Sequence, residues 1–441
     1  MLIPLIMVAV ASTTQAGRSP AAGWSAFPGD GAVSVNGGNV HDPTVVPFGG
    51  RYFCFNTSGD GFAVLRSSKD LLSWTIHGPV LPETPEWLRQ RYRHKSLWAP
   101  DVVVLGSKLR MYYCASNWGT NQSVIGFAEC DKFDPNQPQK GWRDYGLVFE
   151  SQSGRDTYNA IDPEVVVDEN GGHWLFFGSY FSGLYVVELN PETGRLKSPE
   201  KPTPTLVARN TGERGNPLEA CAVIRRNNYY YLFVSYGLAA QGVRSSYRIM
   251  VGRSKSVSGP FLDAQGKSMA EGGHLNVLKS SAPMFAPGHC DVFRDPSGRW
   301  MMPYHFYDGR ENWHGDLWGL PTLHVRELLW SDDGWPLPGM PVEAKPRPPR
   351  AVKRQDLVGK WIHQVDFGRP AEIEMKADGK TRNGEQQGDW RLDGERLTIR
   401  WPRADAPGEM WVDRLLVAYG GTYYVGRNQS GAIIRGARKG R

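Results

Sequence analysis

The sequence predicts an all-β protein, a five-bladed β-propeller followed by a small C-terminal β-barrel or sandwich domain, on three observations. One layout recurs five times: an acid or histidine, an aliphatic run, a polar turn, then an aromatic run. Turn formers are abundant, with 51 Gly and 32 Pro spread along the chain rather than gathered in one tract, as suits many short strands. Helical periodicity is nearly absent, and residues 86–93 hold the one plausible short turn of helix.

In chain order, residues 1–16 are apolar and then small and polar, ending Thr14-Gln15-Ala16. They read as a signal peptide cleaved after Ala16, without the usual positive n-region, or else as a frayed tail. The run is too short to span a membrane, and no other candidate span exists. A secreted or periplasmic protein is expected.

The propeller is expected over residues 30–340. Its units open at His41-Asp42-Pro43, Ala99-Pro100-Asp101, Ile161-Asp162-Pro163, Leu218-Glu219-Ala220 and Gly288-His289-Cys290. From Asp42 the steps are 59 residues to Asp101, 61 to Asp162, 57 to Glu219 and 70 to His289. Each unit adds two further strand-like runs, such as Phe62-Ala63-Val64-Leu65 and Leu184-Tyr185-Val186-Val187. Four strands per unit, repeated radially, make a propeller; stacked solenoids usually have shorter repeats. The innermost strands run along the central channel. Asp42, Asp101, Asp162, Glu219 and His289 are therefore expected at corresponding strand starts, converging on one funnel.

Residues 341–352, with Pro341, Pro346, Pro348 and Pro349, read as a stiff linker. Residues 353–441 alternate in and out between the turn pairs Asp378-Gly379, Asn383-Gly384 and Asp393-Gly394, a hairpin pattern. No catalytic constellation is visible there, and a stabilising or carbohydrate-contacting role is expected.

The formal charge is +6. No Lys/Arg cluster with interleaved aromatics accompanies it, so nucleic acid is not an expected partner. Five cysteines (Cys54, Cys114, Cys130, Cys221, Cys290) lack metal-site spacing and read mainly as small buried hydrophobes.

Carboxylates sharing one cavity repel, so their pKa values separate. Glycoside hydrolysis uses such a split, one group activating water and another protonating the leaving oxygen. Asp42 is the expected base. Glu219, longer and in the apolar setting Leu218-Ala220-Cys221-Ala222, is the expected acid, and Asp162 orients it. Singly, each acid is more often a turn device; four acids and a histidine at corresponding positions weaken that reading. Asp101 divides between fixing its blade and contacting sugar. Trp98, Trp118, Tyr158 and Phe181 are sugar platforms or core aromatics, and His41 and Asn159 are expected substrate contacts. His289 stands as a core histidine, a sugar donor or a ligand. No zinc spacing surrounds it, which leaves a hydrated hard cation.

At these residues the chain resembles glycoside hydrolase family 43, most closely its arabinanases. Besides the unit openings, the resemblance rests on Leu97-Trp98-Ala99-Pro100-Asp101-Val102, Asn159-Ala160-Ile161-Asp162-Pro163 and Asn216-Pro217-Leu218-Glu219-Ala220. It continues through Tyr247-Arg248-Ile249-Met250-Val251-Gly252-Arg253-Ser254, Pro287-Gly288-His289, Tyr304-His305-Phe306-Tyr307-Asp308 and Asp333-Gly334-Trp335-Pro336. It covers residues 39–336. The resemblance implies a five-bladed propeller and inverting, endo-acting hydrolysis of α-1,5-linked arabinofuranose in arabinan or related plant cell-wall polysaccharide. By matching position, Asp42 is the general base, Glu219 the general acid and Asp162 the pKa modulator. His289 matches a central histidine associated with a cation, often calcium. A monomer is expected. Two departures stand out, Ala220-Cys221-Ala222 beside the acid and Cys290-Asp291 after His289. Other readings are an exo-α-arabinofuranosidase, with residues 311–318 as a blocking loop, a β-xylosidase, or a non-catalytic carbohydrate-binding propeller.

Overall fold

The computed structural model describes residues 26–57, 63–92, 96–314, 317–343 and 350–439. The expected signal peptide and residues 344–349 of the Pro-rich linker lie outside them.

Five antiparallel sheets follow one another along the chain. They run from His41–Phe48 to Trp74–Pro79, from Trp98–Leu105 to Trp142–Ser151, and from Glu164–Val167 to Thr205–Ala208. Blade four runs from Leu218–Arg226 to Leu275–Leu278, and blade five from Met284–Gly288 to Pro336–Pro341. Each is a four-stranded meander, and blade five adds the two-residue strand Phe293–Arg294 beside Trp300–His314. The first strands of blades one to four pack side by side, and blade five closes on blade one.

Strand alternation builds the cores between blades. Val45 packs toward Phe293 and Met301 of blade five, whereas its neighbour Val46 packs toward Val102 and Met111 of blade two. Leu175 and Phe177 face blade two while Phe176 faces blade four. Successive side chains leave a strand on opposite faces, so one aromatic run serves two interfaces. Each such burial stabilises by about 1.5–3 kcal/mol. Backbone bonds complete the ring, Val40 N–H to Pro321 O at 3.1 Å and Leu323 N–H to Gly37 O at 2.8 Å.

The helix expected at residues 86–93 is shorter, Glu86–Arg91, because Tyr92 is extended at φ −128°. The C-terminal domain is a closed eight-stranded barrel rather than a sandwich, since Gly359–Val365 pairs with both Ala371–Met375 and Ile433–Arg438. Trp361, Trp390, Ile399 and Tyr424 fill it.

Barrel and propeller share a core in which Tyr423 and Val425 lie against Leu337 and Phe27. At the seam Asp30, fully buried, accepts from Arg326 of blade five at 2.5 Å and from Arg435 Nη1 of the barrel at 2.9 Å. Burial raises the Asp30 pKa, but the two guanidiniums outweigh it and hold the carboxyl below its ordinary value. The five cysteines are buried and free, as their apolar settings predict.

Candidate active site

Each blade carries a left-handed residue where its first strand reaches the funnel. These are Asp42 (φ 49°), Ala99 (φ 42°), Asp162 (φ 53°), Ala220 (φ 59°) and Ala286 (φ 48°). In blades one, two, four and five the register shifts across that residue. Such a bulge bends the strand and re-aims its side chains. In four blades proline follows, where a missing N–H costs no ladder bond.

The bulges correct the expected correspondence. Only Asp42 and Asp162 are equivalent. Glu219 stands one residue before its bulge, Asp101 two after, and His289 three after. The acids nevertheless fall into two levels of one channel, with chemistry that follows level rather than spacing.

At the upper level Asp42 Oδ1 lies 2.8 Å from His289 Nδ1. Burial raises the Asp42 pKa, but the His289 charge and hydrogen bond outweigh it and hold the carboxyl well below the usual carboxylate range. Reciprocally, burial pulls His289 down while Asp42, Asp162 and Glu219 lift it to about 9. His305, almost wholly buried, accepts the Asp42 N–H at Nδ1 (3.2 Å). That ring must be neutral with its proton on Nε2, in line with a pKa pushed far down by burial and the neighbouring histidines. His41 stacks on His305 with centroids 4.5 Å apart, so it braces the floor under Asp42.

Glu219 lies across the funnel, half-buried. Its Oε2 accepts from Ser179 Oγ at 2.6 Å and its Oε1 from the Tyr247 hydroxyl. Burial raises its pKa; Ser179, Tyr247 and His289 oppose that and Asp42 adds to it, for a net rise. Asp162 is buried and raised well above the ordinary value, by burial first and then by the Glu219 and Asp42 charges, against His289. Its carboxyl meets the Ala220 N–H, next to the acid. The three expected catalytic carboxyls thus share one funnel with one held ionised and two pushed toward protonation.

At the lower level sit Asp101, Glu164 and Asp291. Asp291 accepts the Val45 N–H at 2.7 Å, Asp101 the Val165 N–H at 2.8 Å and Glu164 the Val223 N–H at 2.8 Å. Each carboxyl fastens its blade to the next. Burial raises all three, Asp101 to about 7 and Asp291 to about 6. Asp101 was expected either to fix its blade or to touch sugar, and its carboxyl is spent on the blade. Asp291, the departure after His289, likewise closes blade five onto blade one.

Asn159 also differs from expectation: it is 4% exposed and its Oδ1 accepts from Ser123 Oγ at 2.6 Å, so its amide orders a loop. The platform aromatics are available. Trp118 is 76% exposed and edge-on to Trp98, with centroids 6.1 Å apart. Phe181 is 44% exposed on a loop that Asn216 Nδ2 holds through Tyr180 O (3.0 Å) and Phe181 O (3.1 Å). Tyr158 instead stacks on Phe149. Residues 311–314 and 317–318 belong to the strands Trp300–His314 and Leu317–Trp330, and 315–316 and the side chains of 312–318 lie outside the described set.

The cation expected near His289 finds little to hold it. Among the described residues no three His, Cys, Asp or Glu side chains gather as a metal cage. Calcium takes about six to eight oxygens; His289 offers one imidazole, already committed to Asp42. The donor set does not fit a protein-caged calcium, and no chemistry is derived through one.

Three residues had been given no role, His305, Tyr247 and Ser179. The first two lie within the motifs that carry the resemblance, His305 on the strand Trp300–His314 and Tyr247 immediately before the strand Arg248–Ser254. Ser179 sits in a loop and carries no signal of its own.

Comparison with known proteins places this geometry. The model of Glycosyl hydrolases family 43 matches residues 34–336. The chain is 36% identical over 303 residues to the extracellular endo-alpha-(1->5)-L-arabinanase 1 of Bacillus subtilis, covering 67% of this chain and 87% of that protein. It is 32% identical over 306 residues to the extracellular exo-alpha-(1->5)-L-arabinofuranosidase ArbA of Cellvibrio japonicus, covering 68% and 86%. The crystal structure of an endo-1,5-alpha-L-arabinanase from Thermotoga petrophila superposes with a TM-score of 0.75 at 23% identity, over 92% of this chain and 100% of that one, which extends the shared fold through the barrel. With the family match spanning the propeller and its funnel, the chain belongs to glycosyl hydrolase family 43.

Proposed function

We propose that the chain is an inverting, endo-acting glycosidase that cleaves α-1,5-linked L-arabinofuranosyl bonds in arabinan. One observation carries the reading: within a single funnel, Asp42 is held ionised by His289 while Glu219 is pushed toward its protonated form. Asp42 takes a proton from water as that water attacks the anomeric carbon. Glu219 gives its proton to the departing glycosidic oxygen, and the bond between that oxygen and the anomeric carbon breaks. Asp162, anchored at the Ala220 amide next to Glu219, orients the acid. Trp118 and Phe181 offer flat apolar faces for sugar rings.

The names of the two relatives support arabinan as substrate, and the endo-acting one is the more similar. The exo-acting relative and the long hairpin of blade five favour a second reading, release of short products from a chain end. Both relatives are named extracellular, and no helix among the described residues is long and apolar enough to cross a membrane; export fits both. A hydrated calcium near His289, carried over from the resemblance, would be met by one imidazole and water, and calorimetric titration of chelated protein with calcium reads it directly. The activity itself is tested by incubating linear α-1,5-arabinan and following reducing ends and product length. Internal cuts give long products first, chain-end cuts give one short product, and no release at any pH contradicts the reading.

A further inference from the structure

The Glu219 carboxyl is gripped by two hydroxyls from two different blades. Ser179 Oγ donates to Oε2 at 2.6 Å, and the Tyr247 hydroxyl donates to Oε1. Ser179 comes from blade three, whose loop is strapped to the acid's strand by a Ser179–Glu219 bridge and by Tyr180 N–H to Leu218 O at 2.9 Å. Both hydroxyl residues are buried, Tyr247 at 2% exposure. Tyr247 has no room to swing. A Cβ on Gly288 would stand 2.1 Å from its ring, so the bare Gly288 backbone of blade five is the wall the phenol leans on. The His305 ring lies 6.0 Å from it, centroid to centroid.

We propose that Tyr247 and Ser179 are the positioning residues of the general acid, fixing the Glu219 carboxyl plane so that its proton faces the leaving oxygen. The inference rests on the reading of Glu219 as general acid. A free Glu carboxyl turns easily about its last torsion, which has a broad two-fold profile. One donor on each oxygen removes that freedom. Each oxygen keeps a second lone-pair site, so the carboxyl can carry its proton and still accept both hydroxyls. The same two donors favour the charged form and so limit how far burial weakens the acid. Asp162 does different work, since it meets the Ala220 amide beside the acid rather than the carboxyl itself. Gly288 enters as the residue that makes space for the phenol.

The test compares Tyr247→Phe and Ser179→Ala with wild type on two substrates, across pH. One is an arabino-oligosaccharide, whose leaving sugar needs a proton. The other is its dinitrophenyl glycoside, whose leaving group needs none. For Tyr247→Phe, kcat/KM on the oligosaccharide is expected to fall about 10- to 100-fold while the dinitrophenyl rate stays within about twofold. The alkaline limb moves to higher pH, because a lost donor raises the pKa of the acid. Equal losses on both substrates with an unmoved limb would overturn the proposal and leave Tyr247 as packing. If Tyr247→Phe fails to fold, Ser179→Ala carries the same comparison. A wild type that cleaves neither substrate defeats the glycosidase reading, whereas an active wild type with unchanged variants defeats the positioning role alone.

Discussion

His289, just beyond the first strand of blade five, places its Nδ1 2.8 Å from Oδ1 of Asp42, the left-handed residue that opens blade one. The contact closes the propeller ring and sets the charge of the proposed base. A carboxylate next to a histidinium stays ionised into acid, and here the partner's pKa is about 9.

Replacing His289 by Gln removes that charge. Burial and the neighbouring carboxyls then dominate, so the Asp42 pKa rises. The acidic limb of kcat/KM, which reports ionisation of the base, is expected to move to higher pH. A pH profile of His289→Gln on arabino-oligosaccharide checks this, and an acidic limb left where wild type has it counts against the pairing.

Asp42→Ala and Glu219→Ala should each lower kcat by about 10²–10⁴-fold while leaving the thermal transition near that of wild type. The two should part on a dinitrophenyl arabinoside. Glu219→Ala recovers most of its rate there, because the leaving group needs no proton, and Asp42→Ala does not. Parallel behaviour of the two variants would reverse or erase the assigned roles.

The lower ring of acids gives a stability prediction with a definite sign. The Asp101 pKa rises from an ordinary 3.8 to about 7 in the fold, chiefly through burial. Between those values the unfolded chain releases a proton that the folded chain keeps, so stability falls as pH rises through the window. Below it the cost is absent, and above it complete. Asp101→Asn still accepts the Val165 N–H but cannot ionise. Its stability relative to wild type should therefore climb by about 4 kcal/mol from acid to mildly alkaline pH. Urea unfolding at several pH values measures the difference, and a pH-independent difference would contradict the raised pKa.

The seam at Asp30 is a buried charge cluster missing no partner in the fold. Arg435→Met leaves Asp30 with Arg326 alone and should destabilise the protein by about 3 kcal/mol. The loss should show as earlier melting of the barrel–propeller unit. An unchanged melting temperature would mean that the cluster contributes nothing to holding the domains together.

Much of this was legible in the sequence because a propeller repeats its inner strand. The aliphatic-then-aromatic layout marks every blade, and Asp42, Asp162 and Glu219 do meet. Their alignment was off by one to three residues because a bulge is a backbone event. Its left-handed residue is Asp at 42 and 162 but Ala at 99, 220 and 286, and alanine carries no turn signal. Lining up acids therefore hid the bulges. Asp101 and Asn159 misled for a related reason, since a polar residue at a strand start can face sugar or a neighbouring amide, and only packing decides. Ser179 meets Glu219 from blade three and Tyr247 from the far side of Glu219's own blade, a convergence that local pattern does not encode. Barrel and sandwich share one alternation, and the pairing of the first strand with the last, which separates them, is likewise non-local.

The central claim is that Asp42 activates a water on the face opposite the bond that Glu219 protonates. Proton NMR of arabinohexaose, recorded before mutarotation equilibrates the products, tests it most directly. The newly released reducing end is expected first as the β-anomer, inverted from the α-linked substrate; first appearance of the α-anomer would rule out inversion.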